Sequence, residues 1–251
     1  MADLDQTPII DAHHHYWDPR DGHHPWLSGN HPVPFRYGDY SAICRPVRPA
    51  DYAAAADGLN VVATVTMAGE WDKADPVGES RWMSGLASST GKPEAHVARA
   101  FLNEKNTPEV LAAHAACPLV RGVRHKPTAA TSPDAIEPGR PGSMSDPAWL
   151  AGYAELQANG LHYELQAPWW HVAELMDVID RFSETPVVIN HCFMPVDRSP
   201  EGLTAWRDAI TRAAGAPNVI MKISGIGIKG LPWTLADQRP VIDACIEAFG
   251  P

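Results

Sequence analysis

The chain has 251 residues, 45% of them hydrophobic and 20% charged, with a formal net charge of −10; that length suffices for one sizeable core, in one or two domains. The acidic excess argues against a nucleic-acid partner and against anionic membrane surfaces, although a local arginine can still hold an anionic substrate. No apolar run approaches the ~20 residues that span a bilayer, and the polar, acidic start of the chain is the opposite of a signal peptide, so a soluble cytoplasmic protein is expected.

Residues 8–10 form a short apolar run that leads into Asp11-Ala12-His13-His14-His15-Tyr16-Trp17. Alternate residues of a strand share a face, which predicts Asp11, His13 and His15 on one side and His14 on the other. Two imidazoles at i and i+2 on a strand end can grip one divalent ion. A tag-like or solvated histidine run is the plain alternative, and the apolar lead-in and the aspartate weigh against it. A loop rich in Gly, Pro, His and aromatics follows over 18–49, and loops of that length are usually functional. It contains Gly22-His23-His24-Pro25-Trp26-Leu27 and His31; its histidines read more readily as solvated than as ligands.

An alanine-rich stretch over 48–59 predicts a short helix stopped at Gly58. Residues 60–68 read as a buried strand, and 76–90 as a helix with Trp82, Met83 and Leu86 at helical spacing. The alternation then repeats, with strands over 95–101, 119–125, 161–166, 186–191 and 218–224 and helices over 107–116, 146–159, 168–183, 200–215 and 235–249. Thr107 before Pro108 and Asp146 before Pro147 mark helix starts, and Gly160 marks a stop. A Pro/Gly-rich excursion without periodicity fills 126–145. Four widely spaced cysteines (Cys44, Cys117, Cys192, Cys245) suggest neither a disulfide framework nor a thiolate metal site.

Strands feeding helices at this spacing imply parallel βα units with right-handed crossovers. No G-x-G-x-x-G or P-loop follows any strand. The polar candidates fall at strand carboxyl ends, where a (β/α)8 barrel assembles its site. Two closures are possible, an open doubly wound sheet and a (β/α)8 barrel; the expected fold is a single α/β domain over 1–251, a TIM barrel whose eighth strand is missing from the chain, and the family resemblance given below implies the same.

Arg121-Gly122-Val123-Arg124-His125 closes the fourth strand. The two arginines face opposite ways on a regular strand, and Arg124, nearer the carboxyl end, is expected inside; its rigid fork suits a carboxylate. A surface ion pair is the alternative. Gln166 ends the fifth strand and can hydrogen-bond a polyhydroxy substrate, whereas Trp169, Trp170 and His171 read first as core packing. Val187-Val188-Ile189-Asn190-His191 ends a β-branched run in a histidine, with a buried structural role as the alternative. Lys222, inside Val219-Ile220-Met221-Lys222-Ile223-Ser224-Gly225, should meet a carboxylate or a substrate oxygen.

Residues 9–19 resemble the first-strand His-x-His signature of the amidohydrolase superfamily, amidohydrolase-related family 2, and more closely its branch of sugar-lactone hydrolases and 2-pyrone-4,6-dicarboxylate lactonase. Pro25-Trp26-Leu27, Gly122-Val123-Arg124-His125, Asn190-His191 and Lys222-Ile223-Ser224-Gly225 resemble later motifs of that branch. The resemblance implies that His13, His15 and His191 are ligands of a divalent metal such as zinc and meet at the mouth of the barrel. It implies His191 as general base, and Arg124 on the substrate carboxylate or lactone oxygen. Trp26, His125, Gln166 and Lys222 would line the substrate. Metal dependence stays open, because some lactonases of this branch are thought to work without one.

Two departures stand out. At the second-strand glutamate of many relatives this chain has Ala68, with Thr66 and Glu70 nearby. The eighth-strand aspartate, a metal ligand or general acid/base in the family, would lie beyond Pro251; a longer parent chain is expected, with a barrel completed by a partner as the alternative. The implied activity is hydrolysis of a lactone or related cyclic ester of a sugar acid or dicarboxylate. A metal-dependent nonoxidative decarboxylase and a non-catalytic ligand-binding homologue are the alternatives. A small-molecule substrate is the expected partner, with no nucleic acid and no membrane; a homo-oligomer is left open.

Overall fold

In the computed structural model of the chain, residues 6–28 and 33–250 are described; His31 and the first five residues of the acidic start lie outside them. The elements alternate strictly: β1 (Ile9–His14), α1 (Pro49–Ala55), β2 (Val61–Met67), α2 (Gly78–Thr90), β3 (Ala95–Arg99), α3 (Thr107–Ala115), β4 (Val120–His125), α4 (Pro147–Ala158), β5 (His162–Leu165), α5 (Val172–Arg181), β6 (Val187–Ile189), α6 (Pro200–Ala214), β7 (Val219–Met221) and α7 (Leu235–Phe249). The strands follow one another in sequence order in a seven-stranded sheet. The β1–β2, β2–β3, β5–β6 and β6–β7 pairs are parallel. This is the α/β, TIM-barrel order of strand and helix that the hydrophobic alternation predicts.

Local chemistry sets the boundaries. The Asp146 side chain accepts from Ala148 N–H ahead of α4, and Ser199 does the same for Gly202 ahead of α6, each followed by a proline at the first helical position. Gly91 closes α2 at φ 76°, a conformation in which a Cβ is costly. The helix expected from 168 starts only at Val172, because Trp169–His171 wind as a tighter 3-10 turn.

The chain divides into two compact units, residues 1–99 with 112–122, and residues 100–111 with 123–251. In the first, Tyr16, Leu27, Met67, Met83 and Val97 are buried. Its long loop is ordered by polar staples rather than by periodicity. The fully buried Asp18 carboxylate takes two hydrogen bonds from Arg20 (2.8 and 2.6 Å) and two from Arg48 (2.9 and 2.6 Å). Trp17 and Val47 exchange backbone bonds of 3.1 and 2.9 Å.

β1 departs from regular alternation. Its pairing with β2 shifts register between Asp11 and His14. The Asp11 carboxylate accepts from Tyr52 Oη at 2.9 Å, and the His14 ring lies 4.5 Å from the Tyr52 ring. Asp11 and His14 thus meet the same side chain. The expectation that Asp11 shares a face with His13 and His15 is corrected, because a bulge resets the period of two.

In the second unit Trp149, Tyr153, Tyr163, Ile189 and Trp206 are fully buried. A Cβ on Gly152 would stand 2.0 Å from the Leu102 carbonyl oxygen, so α4 packs directly on backbone there. Among the described residues no helix is long and apolar enough to cross a membrane.

Candidate functional site

In the first unit the end of β1 carries the histidine pair. The His13 and His15 ring centroids are 5.4 Å apart, edge to face. His15 Nδ1 lies 2.9 Å from the Met67 carbonyl oxygen. A carbonyl only accepts, so the neutral ring holds its proton on Nδ1 and keeps its lone pair on Nε2. That is how ligating imidazoles are commonly oriented, with the second nitrogen spent on a backbone carbonyl. Trp17 stacks on the His15 ring at 5.8 Å. The donor pair suits zinc or a similar ion in chemistry. Among the described residues no three His, Cys, Asp or Glu side chains gather tightly enough to share one ion.

The neighbours of this pair have other tasks. Glu70, near the vacant second-strand glutamate position, adopts φ 65° and pairs with Arg99 Nη2 at 3.2 Å. Thr66 Oγ1 lies 3.0 Å from His96 Nδ1. Half-buried Trp26 donates Nε1–H to the Gly69 carbonyl at 2.9 Å and sits among Trp17, Phe35 and Tyr40. His24 is buried rather than solvated, and burial lowers its pKa to about 4. A groove of about 410 Å³ is lined by Ile9, Ile10, Asp11, Tyr52, Leu59 and Val61. It lies at the start of β1, away from the strand carboxyl end where a barrel enzyme works.

In the second unit the candidates sit at the ends of four strands. Arg124 in β4 is 5% exposed, whereas Arg121 is exposed and bonds the Pro118 carbonyl; the burial separates the two arginines as their positions on the strand predict. His125 Nδ1 accepts from Trp149 Nε1 (2.9 Å) and Leu102 N–H (3.3 Å). Its lone pair is therefore committed to the core, and the proton sits on Nε2. Gln166 is half-buried directly after β5.

Lys222, directly after β7, meets a carboxylate, as a lysine beside an apolar strand requires. Its ammonium lies 2.7 and 2.9 Å from the two Glu164 oxygens. Glu164 is 2% exposed and also receives Asn190 Nδ2 at 3.0 Å. Burial alone would raise its pKa, but His162 and Lys222 more than offset that and hold it below the usual range.

Beyond β6, His191, Cys192, Phe193 and Met194 have φ of 58°, 54°, 57° and 53°. Left-handed backbone costs roughly 1–2 kcal/mol per non-glycine residue, so surrounding contacts must impose it. Trp206 Nε1 donates to the Cys192 carbonyl at 2.7 Å, and Cys192 N–H to the Lys222 carbonyl at 3.0 Å. His191 Nδ1 lies 2.9 Å from Ser224 Oγ.

His171 is structural. Its Nε2 accepts from Ala130 N–H at 2.9 Å and its Nδ1 lies 2.5 Å from Glu174, whose other oxygen takes Ser145 Oγ at 2.5 Å. These bonds tie down the 126–145 excursion. Glu164, Asn190 and Ser224 were not among the sequence-derived site residues. Glu164 carried a signal, since it and Asp11 are the two acids within the seven strands.

A family model described as amidohydrolase matches residues 10–251. The uncharacterized protein y4mH of Sinorhizobium fredii is 34% identical over 250 residues, covering 100% of this chain and 82% of its own. An L-fucono-1,5-lactonase of Burkholderia multivorans is 26% identical over 253 residues, covering 96% and 78%. Among solved structures, an amidohydrolase from Burkholderia multivorans with bound zinc superposes with a TM-score of 0.72 at 21% identity, covering 98% and 81%. A proposed 2-pyrone-4,6-dicarboxylic acid hydrolase from Pseudomonas putida gives 0.66 at 20% identity, covering 96% and 78%.

Proposed function

The chain belongs to the amidohydrolase family, and from that premise we propose that it is a hydrolase that opens the ring ester of a lactone, either of a sugar acid or of a related dicarboxylate. The observation that carries this reading is the orientation of His15, whose Nδ1 faces the Met67 carbonyl, an arrangement common in metal-ligating imidazoles. The L-fucono-1,5-lactonase relative and the Burkholderia structure with bound zinc support the same chemistry.

His13 and His15 would hold a divalent ion such as zinc, whose contribution when bound is to polarise an ester carbonyl and to acidify water toward neutral pH. Arg124, a permanent cation, takes the anionic end of the substrate or the oxyanion that forms on attack. His191 is the base: water oxygen bonds to the carbonyl carbon as its proton passes to the imidazole. The ring C–O bond then breaks, and the same proton goes to the departing ring oxygen, leaving a hydroxy acid. Trp26 and Gln166 are assigned to the substrate's surroundings; Lys222 is held by Glu164 and His125 by Trp149 and Leu102, so these two would act on the substrate through those partners.

Acid release from a panel of aldonolactones and from 2-pyrone-4,6-dicarboxylate tests the reading, with carbon dioxide release from hydroxybenzoates as the contrast. Ring opening of at least one lactone is expected, and carbon dioxide as the sole product would refute the proposal. Arg124→Met should lower kcat/KM for an anionic lactone by about 10- to 100-fold, the value of a charge-assisted hydrogen bond.

A further inference from the structure

We propose that Glu164 is a positioning residue for His191, acting through Asn190 on one side and Lys222 on the other. The inference uses the lactonase reading only for its kinetic arm. His191 is flanked in sequence by Asn190 and Cys192, and both are held by groups that lead back to the Glu164 carboxylate. On the first side, the fully buried Asn190 donates Nδ2–H to Glu164 Oε2 at 3.0 Å and to the Leu165 carbonyl at 3.2 Å. On the second, Lys222 Nζ grips both Glu164 oxygens, at 2.7 and 2.9 Å. The Lys222 backbone meanwhile accepts from Cys192 N–H at 3.0 Å and donates to the Ile189 carbonyl at 2.9 Å.

One carboxylate thus anchors the residue before the histidine and, through a single lysine, the residue after it. The segment needs such an anchor, because His191 opens a run of four left-handed residues that the chain would not adopt unaided. The Glu164 carboxylate is an apt choice. It is 2% exposed and so shielded from bulk solvent, and a bidentate charged contact fixes direction as well as distance. Ser224 then sets the ring rotation from the same strand-end segment as Lys222, at 2.9 Å from Nδ1. Removing the Glu164 charge should let Asn190 and Lys222 drift apart and leave the imidazole misaimed while the substrate contacts elsewhere persist.

The test compares Glu164→Gln, Glu164→Asp and the charge-balanced double variant Glu164→Gln/Lys222→Met, the last guarding against misfolding from a lone buried charge. The ring nitrogens of His191 are followed by NMR in protein labelled with 15N-histidine, with the resonance assigned by its loss in His191→Gln. The expected result is a displaced His191 signal in Glu164→Gln and in the double variant, partly restored in Glu164→Asp. On a lactone the wild type opens, kcat of Glu164→Gln should fall about 100-fold, the cost of roughly an ångström of misplacement, with KM changed less than about twofold. A His191 signal unmoved in all three variants, with only the melting temperature lowered, would overturn the proposal. Should the wild type open no lactone, the lactonase reading fails, and the NMR comparison still decides the role of Glu164.

Discussion

His24 illustrates what one residue can reveal. A loop histidine beside another histidine reads as solvated, yet its ring is buried against Trp71 and Trp82, at centroid distances of 5.1 and 6.1 Å. Neither of its nitrogens has a hydrogen-bond partner among the described residues. Burial moves its pKa from 6.5 to about 4. Because the folded value lies below the unfolded one, the unfolded chain takes up the proton first. This contribution to stability is complete above about pH 6.5 and is lost as pH falls toward 4. Urea unfolding at pH 7 and pH 4.5 should therefore show a larger loss for the wild type than for His24→Phe, by on the order of 2 kcal/mol. Equal losses would mean that His24 does not carry the effect. The same logic governs what the sequence could disclose about the site. The burial of Arg124 and the carboxylate partner of Lys222 were legible because each sets an unusual side chain against an apolar strand. The fate of each polar atom was not, since Met67, Glu164 and Ser224 are brought to these groups by the fold.

At the scale of elements, the seven strands and seven α-helices of the described residues were legible from period, caps and breakers, with ends shifted by a few residues. The exceptions have local causes. The bulge after Asp11 turns that carboxylate to Tyr52, and no sequence period announces a bulge. The left-handed run at 191–194 is a second case, held by Trp206 and Lys222, which are remote in sequence. Helix packing supplies a matched pair of tests. Gly91 has φ 76° and open space where a Cβ would point, whereas the Cβ of a residue at 152 would meet the Leu102 carbonyl oxygen at 2.0 Å. Gly91→Ala should cost about 1 kcal/mol through backbone strain alone. Gly152→Ala should cost about 3 kcal/mol, since α4 must move off the backbone beneath it. Denaturant midpoints check both, and equal costs would contradict the packing described for α4.

For the molecule as a whole, a formal net charge of −10 and an arginine buried at a strand end are compatible, because the field at a site is set by the nearest groups. The chain's family and its parallel strand–helix order are those of a barrel enzyme, and the proposed reading takes strand ends as the place of the chemistry, with the His15 contact to Met67 as its local support. The most direct test is metal content. Purified protein, stripped, reloaded with zinc and dialysed, should retain about one ion per chain, and the His13→Ala/His15→Ala variant should retain almost none while keeping its fold by circular dichroism. Unchanged zinc stoichiometry in that double variant would contradict the account.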